Sequence, residues 1–297
     1  MRENYEEYKG LVNDCLIGYM PYVDSKSRML ADAMDYSLMA GGKRLRPVLL
    51  LASCEFAGGR SEEALPYACA IEYIHTYSLV HDDLPAMDDD ELRRGKPTNH
   101  MVYGAGMATL AGDGLLNTAY EVMIKDLLLH LDDSTKLNRR INAMCTIAKA
   151  AGIRGMVAGQ AADIENERTE CSNEMLEYIH LNKTGALIEA SVTAGLIIGG
   201  ADEDMMRNMG QYAECLGLAF QIADDILDVR GSKDLLGKNT GSDATKQKTT
   251  YISVNGLEAA EAKLSELTAQ AVKAIAPYYD NAEFFRDLVI RHEGRTH

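Results

Sequence analysis

The chain has six prolines in 297 residues, Pro21, Pro47, Pro66, Pro85, Pro97 and Pro277, and none between Thr98 and Ala276. Proline lacks a backbone donor and clashes with the preceding turn, so helix interiors exclude it. That long proline-free stretch therefore admits long helices. Leu, Ala, Met, Glu and Lys, which are abundant in it, are strong helix formers. Alternation of Val, Ile and Thr at period two is hard to find, which argues against a large sheet. The pattern predicts an all-α protein.

Helices are expected over about 3–18 and 24–39. Gly41-Gly42 then breaks the chain before a helix with Pro47 in its first turn. Gly58-Gly59 ends that helix, and Ser61 with Glu62 and Glu63 opens the next. Further helices are expected near 105–130, 134–158, 172–199, 203–229 and 256–276, with loops at about 93–100, 131–134 and 230–248. No linker or low-complexity tract interrupts them. Residues 1–297 therefore read as one domain, a single large helical bundle, although length alone gives a prior of roughly two.

Acidic residues number 45 and basic residues 30, a net charge of −15. Such a chain is a poor partner for nucleic acid or an anionic membrane. If it binds an anion, local basic groups or metal ions must do the binding. The six cysteines lie at least 15 residues apart, with no CxxC, and read as reduced core thiols. The opening MRENYEEYKG has no apolar core of a signal peptide. The most apolar run, Ala186 to Gly200, is short and carries Glu189. A cytoplasmic protein without stable membrane insertion is expected.

Two acidic clusters stand out. Six of the ten residues from Asp82 to Glu91 are acidic, yet the run follows an apolar helix and contains Leu84 and Met87. Like charges at about 4 Å repel by about 4 kcal/mol at an effective dielectric of 20. A divalent cation removes that cost, and all-oxygen ligands suit magnesium. In a straight helix Asp82 and Asp88 would project about 120° apart. Their convergence requires a bend, for which Pro85 is the candidate. The second cluster is Asp224-Asp225-Ile-Leu-Asp228, in which Asp224 and Asp228 lie one turn apart on one helix face. Apolar Ile222, Ala223, Ile226 and Leu227 surround these acids.

Basic groups accompany both clusters. Lys43, Arg44 and Arg46 follow the Gly-Gly break, Arg93-Arg94 follows the first cluster, and Lys183-Thr184-Gly185 interrupts an apolar helix. Lys238, Lys246 and Lys248 follow the second cluster. Carboxylates that take a metal, beside Arg forks and Lys point charges, suit a di- or polyphosphate. Walker, Rossmann, EF-hand, GxSxG and HExxH patterns are absent.

GGKRLRP at 41–47, HTYSLVHDDLPAMDDDELRRGKPTNH at 75–100, KTGAL at 183–187, FQIADDILD at 220–228 and GKNTGSDATKQKTTY at 237–251 occur in that order. Over about residues 25–275 the chain resembles the trans-isoprenyl diphosphate synthases, the bacterial farnesyl diphosphate synthases most of all. The resemblance implies a helical bundle around a central cavity, with the two aspartate motifs facing each other and three magnesium ions per active site. Asp82, Asp88, Asp224 and Asp228 would be the metal ligands, with Asp83 and Asp225 as further catalytic acids in support. Arg93, Lys183, Thr184, Gln221, Lys238 and Lys248 match the residues that hold the allylic diphosphate. Lys43, Arg46, His75 and Arg94 match those that bind isopentenyl diphosphate without metal. His75 also lies seven residues before Asp82, on the same helical stripe.

The implied reaction is ionisation of an allylic diphosphate, condensation with isopentenyl diphosphate, and proton loss. Dimethylallyl and geranyl diphosphates would be the allylic substrates and farnesyl diphosphate the product. Product length in this family is set just before the first aspartates, where Tyr77 and Ser78 stand here. Tyr77 would close the cavity floor. Geranyl or geranylgeranyl diphosphate synthesis is the alternative. A class I terpene cyclase has no use for the Lys43, Arg46 and His75 set, and a silent regulatory subunit would be expected to lose acids that are intact here. The family also implies a homodimer. Arg291 and Arg295 are candidates to close over isopentenyl diphosphate, although the C-terminal ending departs from the family's.

Overall fold

The computed structural model describes residues 2–22, 24–166, 171–234 and 250–294, and the protein is all-α. Contacts divide the chain into two compact units, one of residues 2–145 and 194–200, the other of residues 146–193 and the described residues from 201 onward.

In the first unit lie α1 (Arg2–Leu16), α2 (Arg28–Leu38), α3 (Leu45–Phe56), α4 (Ser61–Asp82), α5 (Asn99–Tyr103), α6 (Ala105–Leu128) and most of α7 (Ser134–Ala151). α4 is buried nearly all round, from Ala64 through Ile74 to Val80, and packs mainly on α6 and α3. A helix apolar on every side belongs in a core. Pro66 lies inside it, in its second turn. Val48 to Leu51 of α3, which packs on it, are fully buried. The loop expected over 93–100 is more ordered than the sequence indicated. β1 (Leu92–Arg93) and β2 (Lys96–Pro97) form a two-stranded antiparallel ribbon, with Leu92 opposite Pro97 and Arg93 opposite Lys96, and α5 follows directly.

The second unit holds α8 (Met156–Asn166), α9 (Asn173–Ile179), the start of α10 (Ala186–Gly199), α11 (Glu203–Asp234), α12 (Tyr251–Asn255), α13 (Leu257–Ile275) and α14 (Glu283–Glu293). α11 packs chiefly on α13. Tyr212 donates a 2.9 Å hydrogen bond to the Phe285 carbonyl, and the Phe220 and His292 rings stack 4.7 Å apart, so α14 is pinned along α11. Two helices expected as unbroken are divided. The one over 134–158 ends at Ala151 and restarts at Met156, through a turn closed by Gly155 on the Gly152 carbonyl. The one over 172–199 is interrupted at the Lys183-Thr184-Gly185 break by a π-helical turn, His180–Gly185. Such turns widen the helix and release carbonyls from regular bonding.

Candidate active site

The first aspartate motif is built by a helix end. α4 does not bend at Pro85, contrary to the expectation above; it stops at Asp82. Leu84 N–H bonds to the His81 carbonyl at 3.1 Å, Met87 N–H to Leu84 at 2.8 Å, and Asp88 N–H returns to the Asp82 carbonyl at 2.8 Å. Asp89 takes a left-handed φ of 52° to continue the chain. Exposed Pro85 sits within this tight turn, where its missing N–H costs nothing. The turn replaces the 120° separation of a straight helix with direct backbone adjacency of half-buried Asp82 and Asp88.

Asp83 goes the other way. It is buried, and its carboxylate accepts from Arg93 Nε at 2.7 and 2.9 Å, with Arg93 Nη2 2.5 Å away. Burial raises the Asp83 carboxyl above its ordinary range, while Arg93 opposes that rise. Asp83 therefore sets Arg93, itself on β1. Arg94 and Gly95 form the ribbon's turn with φ of 54° and 77°, the left-handed pair that a two-residue hairpin requires. The Arg94 guanidinium donates to the Gly41 carbonyl and lies over Gly42. A Cβ on Gly42 would fall 2.6 Å from that guanidinium. The Gly-Gly break is thus a seat for an arginine as well as a helix stop.

Arg44, left-handed at φ 53°, turns inward and is buried, with Nη1 2.6 Å from Glu72 Oε1, Nη2 2.7 Å from the Leu38 carbonyl and Nε 3.0 Å from Asn13 Oδ1. Lys43 beside it is exposed. Arg46 Nη1 stands 3.5 Å from His75 Nε2. Burial first, then Arg46, Arg94, Arg93 and Arg44, hold the His75 imidazole well below its usual range, so it is neutral at pH 7. Of the predicted metal-free binding set, Arg46, His75 and Arg94 are therefore close in space. Tyr77 is buried and meets the His81 ring edge-on at 5.6 Å, and burial pushes its phenol up to about 12. Ser78 Oγ, half-buried, donates to the His75 carbonyl. The His81 ring lies over Gly112 of α6, where a Cβ would fall 2.2 Å from Nε2.

In the second unit, half-buried Asp224 and Asp228 share one face of α11, and Asp225 is buried. Asp225 accepts from Gln221 Nε2 at 3.1 Å and from Tyr251 N–H at 2.9 Å, so it fixes both the amide and the start of α12. Thr184 donates to Gln221 Oε1 at 3.0 Å. The line Thr184–Gln221–Asp225 thus joins the π turn to the second motif. Lys183 Nζ lies 2.6 Å from Asp163 Oδ2 of α8. Lys238, Lys246, Lys248 and Arg295 lie outside the described residues, and Arg291 is exposed on α14. Glu72 and Asp163, partners of two predicted basic groups, were not legible as site residues. Gly159 carried a signal: glycine inside a helix costs about 1 kcal/mol against alanine. Its α-carbon packs so close to the π turn that a Cβ would fall 2.2 Å from the Lys183 nitrogen.

Residues 27–279 match the Polyprenyl synthetase family. The chain belongs to that family. The farnesyl diphosphate synthase of Geobacillus stearothermophilus is 49% identical over 87% of this chain and 86% of its own length. The geranylgeranyl diphosphate synthase of Cyanophora paradoxa is 44% identical over 93% and 89%. Among solved structures, an FPP/GFPP synthase from Zymomonas mobilis superposes with a TM-score of 0.84 at 33% identity, covering 97% of each chain. This polyprenyl synthetase is a short-chain trans-prenyltransferase.

The donor sets fit magnesium. No group of three His, Cys, Asp or Glu side chains forms a metal cage among the described residues. Magnesium does not need one, since it binds through one or two carboxylates and completes its shell with water and substrate phosphate. Asp224 with Asp228 on one helix face, and Asp82 with Asp88 across the turn, would be the pairs of hard oxygen ligands to supply it.

Proposed function

We propose that this polyprenyl synthetase is a farnesyl diphosphate synthase, which joins isopentenyl diphosphate to dimethylallyl and then geranyl diphosphate. The observation that carries the reading is Arg46 standing 3.5 Å from His75, with Arg94, Arg93 and Arg44 near enough to act on that imidazole. A basic cluster of this kind suits a diphosphate held without metal, and only a condensing enzyme needs one in addition to an aspartate-rich site. Lys43 completes that set.

Asp82, Asp88, Asp224 and Asp228 would hold magnesium, three ions per active site. Bound there, the metal would neutralise charge on the departing diphosphate. Arg93, Lys183, Thr184, Gln221, Lys238 and Lys248 hold the allylic diphosphate. Asp83 orients Arg93, and Asp225 orients Gln221. The allylic C–O bond breaks and its electron pair leaves with diphosphate. The isopentenyl double bond then attacks the allylic carbon, and a proton passes to the diphosphate. Cations preorganised at the leaving group lower the barrier of the first step. The π turn widens the helix beside Lys183 and Thr184, which turns a carbonyl toward the developing cation.

Tyr77, five residues and about 7.5 Å of helix before Asp82, ends chain growth at the farnesyl length. The chain acts as one catalytic domain, in a homodimer. Exposed Leu128, Leu129 and Leu131 at the end of α6 support self-association. Six free cysteines, and no described helix long and apolar enough to cross a membrane, support a cytoplasmic site of action. Incubation with labelled isopentenyl diphosphate, each allylic primer and magnesium, with chain-length analysis, tests the reading. Farnesyl diphosphate is expected. Geranylgeranyl diphosphate would transfer the assignment to the longer-chain synthases, and no consumption with any primer would sink it.

A further inference from the structure

Lys183 is held before any substrate arrives. Its ammonium meets Asp163 at 2.6 Å, with both side chains about a quarter or less exposed. A lysine side chain has four rotatable carbons and about 2 kcal/mol of rotamer entropy, so an unrestrained ammonium on the π turn would sample many positions. Fixing it in advance removes that cost from the binding step. Partial burial also strengthens the pair relative to a surface ion pair.

The local architecture is specific for this contact. Gly159 lets α8 approach the π turn so closely that its missing Cβ would overlap the Lys183 backbone nitrogen. Asp163 stands one turn further along α8. Gln160 shares that face, and its Oε1 is buried without a hydrogen-bond partner. His180, at the start of the π turn, does not compete with Lys183 as a cation for Asp163. It is buried, and burial first, with Lys183 adding to it, brings its imidazole down to about 4 against the opposing pull of Asp163. Lys183 is therefore the cation that meets Asp163 across the α8 contact.

We infer that Asp163 is a positioning residue for catalysis: it aims the Lys183 ammonium at the allylic diphosphate and acts through Lys183. This inference rests on the reading of the chain as a synthase that uses Lys183 on the allylic side.

The test is a double-mutant cycle of Asp163→Asn and Lys183→Gln, with kcat and KM measured separately for the allylic and isopentenyl substrates. Wild-type turnover is the control for the reading itself; if the wild type consumes no isopentenyl diphosphate, that reading fails. With an active wild type, Asp163→Asn should lower kcat/KM for the allylic substrate by about 10- to 100-fold and leave the isopentenyl KM within about twofold. On the Lys183→Gln background the same change should cost less than about twofold, the non-additivity of residues acting as a unit. Asp163→Glu, which keeps the charge, should recover most of the loss, and it also serves if Asp163→Asn fails to fold. Multiplicative losses, equal effects on both substrates, or full activity in Asp163→Asn would each overturn the inference. So would an Asp163→Glu protein no better than Asp163→Asn.

Discussion

Removal of Glu72 should unfold the start of α3 more than any surface change could. Arg44 and Glu72 are each 2% exposed at the side chain and 2.6 Å apart. Glu72→Ala leaves a guanidinium buried without its counter-charge, at a cost of about 3–5 kcal/mol. For a protein of this size that corresponds to a fall in Tm of about 6–20 °C. The pair itself is worth much less than the broken pair costs, because both charges had to be desolvated. Arg44→Met with Glu72→Leu should therefore be milder than Glu72→Ala alone. It still deprives the Leu38 carbonyl of its donor, which costs about 1–3 kcal/mol. Thermal unfolding followed by circular dichroism reads both variants. A second readout follows from position. Arg44 lies between Lys43 and Arg46, and its left-handed backbone sets the direction of both, so Glu72→Ala should raise the KM for isopentenyl diphosphate more than for the allylic substrate. A single variant that melts within about 2 °C of wild type, or a double variant as unstable as the single, refutes the reasoning.

Tyr77→Ala should lengthen the product beyond farnesyl, read by chain-length analysis; an unchanged distribution removes Tyr77 from the cavity floor. Asp224→Asn should lower turnover by about 10²–10³, as loss of one charge-stabilising group does. Asp225→Asn should lower turnover and Tm together, because its amide would face two donors, Gln221 Nε2 and Tyr251 N–H. An Asp225→Asn protein that melts at the wild-type temperature would contradict that structural role. His180 predicts a pH dependence: its imidazole falls from 6.5 to about 4 on folding. Below pH 6.5 the unfolded chain takes up a proton that the folded one refuses, so this stabilisation is present above 6.5 and fades toward pH 4. The slope approaches 1.4 kcal/mol per pH unit and the total is about 3 kcal/mol. His180→Asn should flatten the stability profile in that window, and parallel profiles for the two proteins would exclude the assignment.

The helical class and both aspartate motifs were legible because they rest on local rules: proline scarcity, helix formers, and acids at one-turn spacing. Tertiary geometry was less so. The sequence places Asp82 and Asp88 six residues apart, and helical arithmetic demanded a bend. The chain instead ends α4 and folds back through backbone bonds that no side-chain pattern announces. Asp83 and Asp225 were legible as acids in support of the metal ligands, but the groups they hold were not: one is turned inward on Arg93, the other on Gln221 and Tyr251 N–H. Such choices depend on which neighbour arrives from elsewhere in the chain. The Arg94-Gly95 turn was readable in principle, since glycine there favours a left-handed pair. Glu72 and Asp163 are single acids on largely apolar or mixed helices. Nothing in their own segments separates them from ordinary polar residues, and only their distant partners, Arg44 and Lys183, define them.

The proposed function requires both aspartate motifs to act on the allylic diphosphate through magnesium. Calorimetric titration of an unreactive allylic thiodiphosphate, with and without magnesium, addresses it in the wild type, Asp82→Asn and Asp224→Asn. The account predicts tight binding only with magnesium, weakened at least about tenfold, or 1.4 kcal/mol, by either substitution. Wild-type affinity in Asp224→Asn, or binding indifferent to the metal, would contradict it.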